Sequence, residues 1–123
     1  MDFLAISIGA VLGANARYLI GGWVADRLGA SFPYGTLLIN LTGSFLLGMI
    51  LAIVSQRASA PIWVRTGLAV GLIGSYTTFS TFGAETYSML STGSLLLAAL
   101  NILASVAGSL VAVYLGMQVG RLI

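Results

Sequence analysis

Cysteine, histidine and lysine are absent from the 123 residues, and only 7% of the residues are charged. The missing cysteine excludes disulfides and thiol chemistry, and the missing histidine removes a common zinc and haem ligand and the usual general base at neutral pH. The acids are Asp2, Asp26 and Glu85, and the bases are five scattered arginines, which form no stripe for nucleic acid. No nucleophile–base set is visible, so we do not expect an enzyme.

Apolar residues dominate the chain: 59% are hydrophobic and the mean hydropathy is +1.05. Because a soluble domain has about a quarter of its residues charged, this composition predicts an integral membrane protein with a single domain over residues 1–123. The first segment begins with Asp2 and no positive residue, so we expect a retained helix rather than a signal peptide. Four segments exceed the roughly 20 residues of a membrane span: 3–24, 34–55, 62–90 and 95–119.

These segments predict an all-α bundle of four transmembrane helices, whose short loops make neighbours antiparallel. The third segment is interrupted by residues 74–83, GSYTTFSTFG. Gly74 lowers helix propensity, and Thr77 and Thr78 are β-branched and compete for backbone hydrogen bonds. Irregular backbone at membrane depth needs shielding by protein or by a water-filled cavity, so we predict a helix break and a path at this point. Carbonyls freed by the break would suit a structural cation.

Small residues recur at four-residue spacing on three of the predicted helices, and such ridges let helices approach closely in lipid. Two interpretations stay open: packing within one bundle, and packing against a second subunit. The small size of the chain favours an oligomer. The ridges are Gly9 and Gly13, Gly67 and Gly71, and Ala104, Gly108, Ala112, Gly116 and Gly120.

Arginines in the loops indicate orientation, because cytoplasmic loops carry more of them. Four helices place both termini on one side, together with Arg57, Arg65 and Arg121, against Arg27 on the other. Three against one favours cytoplasmic termini, although insertion in both orientations stays open.

Polar side chains follow one face of the second predicted helix, where Thr36, Asn40 and Ser44 are spaced by four residues. The Asn40 amide offers N–H donors that suit a dehydrated anion, but the spacing taken alone favours an interhelical hydrogen bond. The fourth helix carries Asn101, Ser105 and Ser109 at the same spacing. Two interpretations stay open here: the hydroxyls hand on a partly hydrated ion, or the serines hydrogen-bond back to carbonyls of their own helix.

Phe79 and Phe82 lie on one helix face at i, i+3, and their positive ring edges would line an anion path without trapping the ion. Glu85 follows one turn later, and a lone acid in a membrane span suggests a function. Pairing with an arginine such as Arg17, or a place in a vestibule, is favoured over a proton relay because no other acid or histidine lies in the spans.

With these motifs the chain resembles the Fluc fluoride channels, also called CrcB proteins, over essentially its whole length. The third-helix motif is the most specific of them. The matching stretches are residues 13–17 (GANAR), 35–40 (GTLLIN), 78–85 (TFSTFGAE) and 108–109 (GS).

The resemblance implies an antiparallel (dual-topology) homodimer in the cell inner membrane, with two pores that passively export fluoride from the cytoplasm and so reduce its toxicity. It implies no nucleic-acid partner, only fluoride, membrane lipid and a second copy. It also implies a central structural Na⁺ shared between the subunits. The implied roles are as follows: Asn40 donates to fluoride, Phe79 and Phe82 line the pore, Ser80, Thr81 and Ser109 form a polar track, the carbonyls of Gly74 and Thr77 bind Na⁺, and Arg17 and Glu85 are vestibule or structural charges.

Gly83 and Val113 depart from some relatives, which carry hydroxyls there, so the polar track is expected to be shorter in this chain. The alternative function is a small four-helix proton-coupled multidrug exporter, which would need an acid within its first span; Asp2 lies at the terminus. A third possibility, a structural membrane subunit, would leave the motif from Phe79 to Glu85 unexplained.

Overall fold

Long apolar helices make up most of the computed structural model, which describes residues 1–57 and 60–123. Helix α1 is Asp2–Leu28, α2 is Tyr34–Gln56 and α5, the last, is Leu95–Gly120. Within the described ranges, these three are the helices long and apolar enough to cross a membrane. The chain is therefore an all-helical, multi-pass membrane protein.

The remaining predicted segment is split into two shorter helices. Residues 62–76 form α3, which begins as an α-helix over Ile62–Arg65, widens to a π-helix over Thr66–Ile73 and closes with Gly74–Tyr76. Thr77 and Thr78 then adopt extended backbone angles, with ψ of 159° and 115°, and α4 follows over Phe79–Ser91. The predicted break is thus present, and it falls on the two β-branched residues rather than on Gly74.

Local chemistry explains where α4 begins. The Thr78 hydroxyl accepts a hydrogen bond from the backbone N–H of Thr81 at 3.2 Å, so Thr78 caps the new helix. An N-cap threonine satisfies one of the N–H groups that a helix start leaves without a partner. The break and the restart therefore depend on adjacent threonines.

Small residues bring the helices together inside one chain. A methyl group on Gly116 of α5 would come within 3.0 Å of the Met49 backbone nitrogen on α2, and one on Gly71 of α3 would lie 2.7 Å from the Ile6 carbonyl oxygen on α1. Gly120 and Gly108 of α5 likewise face Ala52 and Leu41. These ridges are consequently used for packing within the chain, which was one of the two interpretations left open.

A buried network of polar side chains joins α4 to α5. Asn101, only 1% exposed, donates to the Thr86 hydroxyl at 2.9 Å and accepts from Ser105 at 3.4 Å. The Thr86 hydroxyl in turn donates to the Phe82 carbonyl at 2.7 Å. Asn101 therefore forms an interhelical hydrogen bond to Thr86, and Ser105 bonds to Asn101 within α5. Ser109, the third member of the predicted polar face, is not part of this network.

Candidate functional site

A groove of about 380 Å³ lies where the break meets α2 and α5. All the side chains that line it are uncharged, and we call it the neutral groove. Four of the six predicted pore residues line it together, although they come from three helices. The lining residues are Asn40, Gly43, Ser44, Leu47, Thr77, Thr78, Phe79, Phe82, Ser105, Val106, Ser109, Leu110 and Val113.

Asn40 is paired with the peptide group of Thr78. Its Nδ2 donates to the Thr78 carbonyl at 3.0 Å, and its Oδ1 accepts from the Thr78 N–H at 2.8 Å. The side-chain amide thus supplies the hydrogen bonds that the broken helix does not. Because the amide nitrogen carries two hydrogens, one donor is left over at the groove.

The two phenyl rings differ sharply in exposure. Phe82 is 9% exposed and Phe79 is 82% exposed, with ring centroids 5.5 Å apart and planes tilted by 42°. A tilted pair presents ring edges beside ring faces. Phe82 therefore forms the inner wall of the neutral groove, and Phe79 stands at its open side.

The predicted hydroxyl track is divided. Ser109 lines the neutral groove, Thr81 lines a second cavity, and Ser80 lines neither. Thr78 connects them, because its hydroxyl donates to Thr81 Oγ1 at 2.9 Å and lies 3.4 Å from Ser80 Oγ. Thr78 lines both cavities, so this one side chain forms a shared wall.

The second cavity, of about 660 Å³, contains Arg17 and Glu85, and we call it the charged cavity. Thr36 donates to Glu85 Oε1 at 2.8 Å, while Oε2 is buried with no hydrogen-bond partner among the described residues. Arg17 Nη1 donates to the Thr77 carbonyl at 3.4 Å. Over residues 1–57 and 60–123, no ion pair joins Arg17 to Glu85, so the pairing considered from the sequence is not seen within this chain.

Backbone oxygens at the break form a separate feature. The helical partner of the Gly74 carbonyl would be the N–H of Thr78, which instead donates to Asn40. Gly74 is exposed, and a Cβ built on it would meet nothing closer than the Ala69 carbonyl oxygen at 3.6 Å. The Gly74 carbonyl therefore lacks its helical partner, whereas the Thr77 carbonyl accepts a hydrogen bond from the Arg17 guanidinium.

The whole chain can now be compared with known proteins. Residues 4–117 match the family described as CrcB-like protein, Camphor Resistance (CrcB). The chain belongs to the CrcB family. The resemblance inferred from the sequence motifs is thereby confirmed.

Several CrcB relatives carry the name "Fluoride-specific ion channel FluC". One from Chloroflexus aurantiacus is 48% identical over 98% of this chain and 95% of the relative. One from Roseiflexus sp. is 42% identical over 100% of this chain and 99% of the relative, and one from Geobacter metallireducens is 42% identical over 98% of both.

Thr78 and Thr86 are residues of this CrcB chain whose contacts were not anticipated from its sequence. Thr78 was noted only as a helix breaker, although a threonine just before a renewed helical pattern is also an N-cap signal. Thr86 had no such signal, because its contact with Asn101 depends on how α4 meets α5. Of the two departures, Val113 lines the neutral groove without a hydroxyl. A Cβ on Gly83 would meet no atom of the described residues within 4 Å.

Proposed function

We propose that this chain is a fluoride-specific ion channel that exports fluoride passively from the cytoplasm and so reduces fluoride toxicity. Two findings support the proposal: close relatives carry that name, and the neutral groove gathers Asn40, Phe79, Phe82 and Ser109 around one uncharged path. The name of the relatives describes a channel and not an enzyme, in agreement with the chain's lack of a nucleophile–base set. The proton-coupled exporter is not favoured.

The observation that carries the proposal is the neutral character of the groove. A small anion that enters must exchange its hydrating water molecules for protein groups that present positive partial charge. The remaining Asn40 N–H, the Ser109 hydroxyl and the phenyl edges provide them without a full charge that would hold the ion in place. Conduction requires binding strong enough to admit the ion and weak enough to release it.

Two copies inserted in opposite directions would complete the path. Phe79 is 82% exposed beside the neutral groove, and Gly74 at the break is exposed as well. A second copy packed on this face would cover both, and two symmetry-related neutral grooves would give two pores. Dual topology is compatible with the small number of loop arginines, which bias orientation only weakly.

A structural Na⁺ would be held by the carbonyls of Gly74 and Thr77 from each copy. Oxygen donors suit a hard cation, and the Gly74 carbonyl lacks its helical partner, so the donor set fits. The Arg17 guanidinium at the Thr77 carbonyl is a competing positive charge. When bound, the ion would neutralise carbonyl dipoles at the break and so stabilise the dimer.

The charged cavity would be the aqueous vestibule of this path. Arg17 would attract anions to it, Glu85 would hold Thr36 of α2 in position, and Thr78 and Thr81 would border the passage toward the neutral groove. Ser80 would extend the hydroxyl track through its contact with Thr78. A channel that exports fluoride from the cytoplasm would lie in the cell inner membrane, and we propose this location.

The test is fluoride efflux from proteoliposomes containing the purified chain, with chloride as the control anion and no proton gradient. We expect rapid fluoride efflux that an imposed proton gradient does not change, with chloride retained. Fluoride that stays inside, or that moves only against a proton gradient, would contradict the channel proposal. Cross-linking in the same liposomes would report the dimer separately.

A further inference from the structure

A third groove, of about 450 Å³, lies between the end of α1 and the beginning of α2. Five of its lining side chains are aliphatic, among them Leu37, Leu38 and Leu41 of α2. Arg27 is the one charged residue in the lining among the residues that the structure describes. We call it the lateral groove; it is separate from the neutral groove and from the charged cavity.

The rim of the lateral groove combines a cation with two amphipathic aromatic residues. The guanidinium carbon of Arg27 lies 5.1 Å from the centroid of the Trp23 ring. Stacking of this kind orients the guanidinium plane and leaves its edge N–H groups free to donate to an oxyanion. Trp23 is 56% and Tyr34 41% exposed, as expected for side chains at the level of lipid headgroups.

The length of the groove matches part of one leaflet. Tyr34 and Leu41 are seven residues apart on α2, which is about 10 Å along the helix axis. Half of the hydrocarbon core is about 15 Å thick. With Tyr34 at the headgroup level, the α2 side of the groove therefore extends roughly two-thirds of the way to the membrane centre.

We propose that the lateral groove binds a phospholipid with an anionic headgroup, with an acyl chain along Leu37, Leu38 and Leu41 and the headgroup phosphate on Arg27. Charge complementarity favours this occupant, because an apolar helix of a second copy would cover the guanidinium without supplying an anion. Asp26 is adjacent in sequence but is exposed and does not line the groove. The proposal depends on membrane insertion and not on fluoride conduction.

Native mass spectrometry of the purified full chain tests this directly. The probes are phosphatidylglycerol and phosphatidylcholine with identical acyl chains, added separately at equal concentration. We expect about a fivefold preference for phosphatidylglycerol, the size of one arginine's attraction to an anionic lipid surface. Arg27→Gln should bring the ratio to about one, and Arg27→Lys, which keeps the charge without the planar fork, should fall between.

Arg121→Gln is the matched control, because Arg121 is also an exposed arginine at a helix end but lies outside the lateral groove. It should keep the wild-type ratio. Leu38→Trp, at a side chain 39% exposed, should fill the groove and reduce retention of both lipids alike. Equal retention of the two lipids by the wild type, or the same loss in Arg121→Gln, would overturn the proposal. So would a Leu38→Trp variant that loses the dimer while its lipid retention is unchanged, because the groove would then be a protein interface.

Discussion

The neutral groove and the charged cavity are neighbours that share Thr78 in their walls, yet they differ in the charge of their lining. The charged cavity contains both Arg17 and Glu85, whereas the neutral groove is lined entirely by uncharged groups. A charge that water reaches is screened, while the same charge in a water-poor site is not. The comparison leads to the prediction that an anion is attracted at the charged cavity and loses its water in the neutral groove.

The largest effect on efflux is expected when a negative charge is placed in the neutral groove, because the two cavities then no longer differ in charge. Asn40→Asp would put a carboxylate where the amide donates, and a like charge about 4 Å from an anion opposes it by about 4 kcal/mol at an effective dielectric constant of 20. We therefore expect fluoride efflux from liposomes to slow about a thousandfold. The substitution also sets an oxygen against the Thr78 carbonyl, so the unfolding free energy should fall.

Gln56→Glu is the matched control for Asn40→Asp, because it makes the same amide-to-carboxylate change on α2, where the amide donates to the Gly120 carbonyl at 3.0 Å outside the groove. It should leave the efflux rate close to that of the wild type. Wild-type efflux from Asn40→Asp would remove Asn40 from the path.

The second prediction concerns the support behind the neutral groove. Asn101→Leu would leave the Thr86 and Ser105 hydroxyls without their buried amide, and the unfolding free energy should fall by about 2 kcal/mol. Denaturant titration of the purified protein measures this. Asn15→Leu, at an exposed asparagine bonded within its own helix, should change stability by less than about 0.5 kcal/mol. Equal losses from the two variants would contradict the role given to the hydrogen bonds of Asn101.

The third prediction tests whether the exposed ring of Phe79 acts in conduction rather than in packing. Phe79→Ile removes an exposed ring, so the unfolding free energy should stay unchanged. Efflux should fall about tenfold, because the loss of one aromatic interaction at the rate-limiting point raises the barrier by about 1.4 kcal/mol. The change should be independent of salt. Tyr87→Ile, which removes another exposed ring of α4 outside the groove, is the control. Equal efflux from Phe79→Ile and the wild type would exclude the ring from the path.

The smallest effect is expected in the charged cavity. Arg17→Gln should slow efflux about fivefold at low ionic strength. The difference should vanish as salt rises, because long-range steering of an ion by a charge at a cavity is screened. Arg65→Gln, an exposed arginine outside both cavities, should have no such effect. A loss that persists at high salt would place Arg17 in the structure of the break rather than in attraction of the ion.

Local chemistry made part of this site predictable. Thr77 and Thr78 disfavour helix by their own side chains, so the break could be placed from sequence. Phe79 and Phe82 share a face at i, i+3, and the structure brings both to the neutral groove with Asn40. The same geometry explains why Ser80 and Thr81 do not line it, since each residue turns the helix by about 100°.

Tertiary contacts decided the rest. The π-helix over Thr66–Ile73 has no signal in its apolar sequence, and it lies where Gly67 and Gly71 pack closely on α1. The pairing of Asn40 with Thr78 joins positions 38 residues apart, which no periodicity can reveal. The separation of the charges from the neutral groove likewise depends on how α1, α2 and α4 meet.

The pairing of Asn40 with Thr78 has a consequence for the order of assembly. A side-chain amide on α2 stands in for the peptide partners that Thr78 loses, so the interruption is stabilised by another helix as well as by its own threonines. Residues 62–91 alone in lipid would gain by closing into one continuous rod. Since α2 precedes this segment in the chain, Asn40 is synthesised first and can be in the bilayer before the break that it stabilises forms.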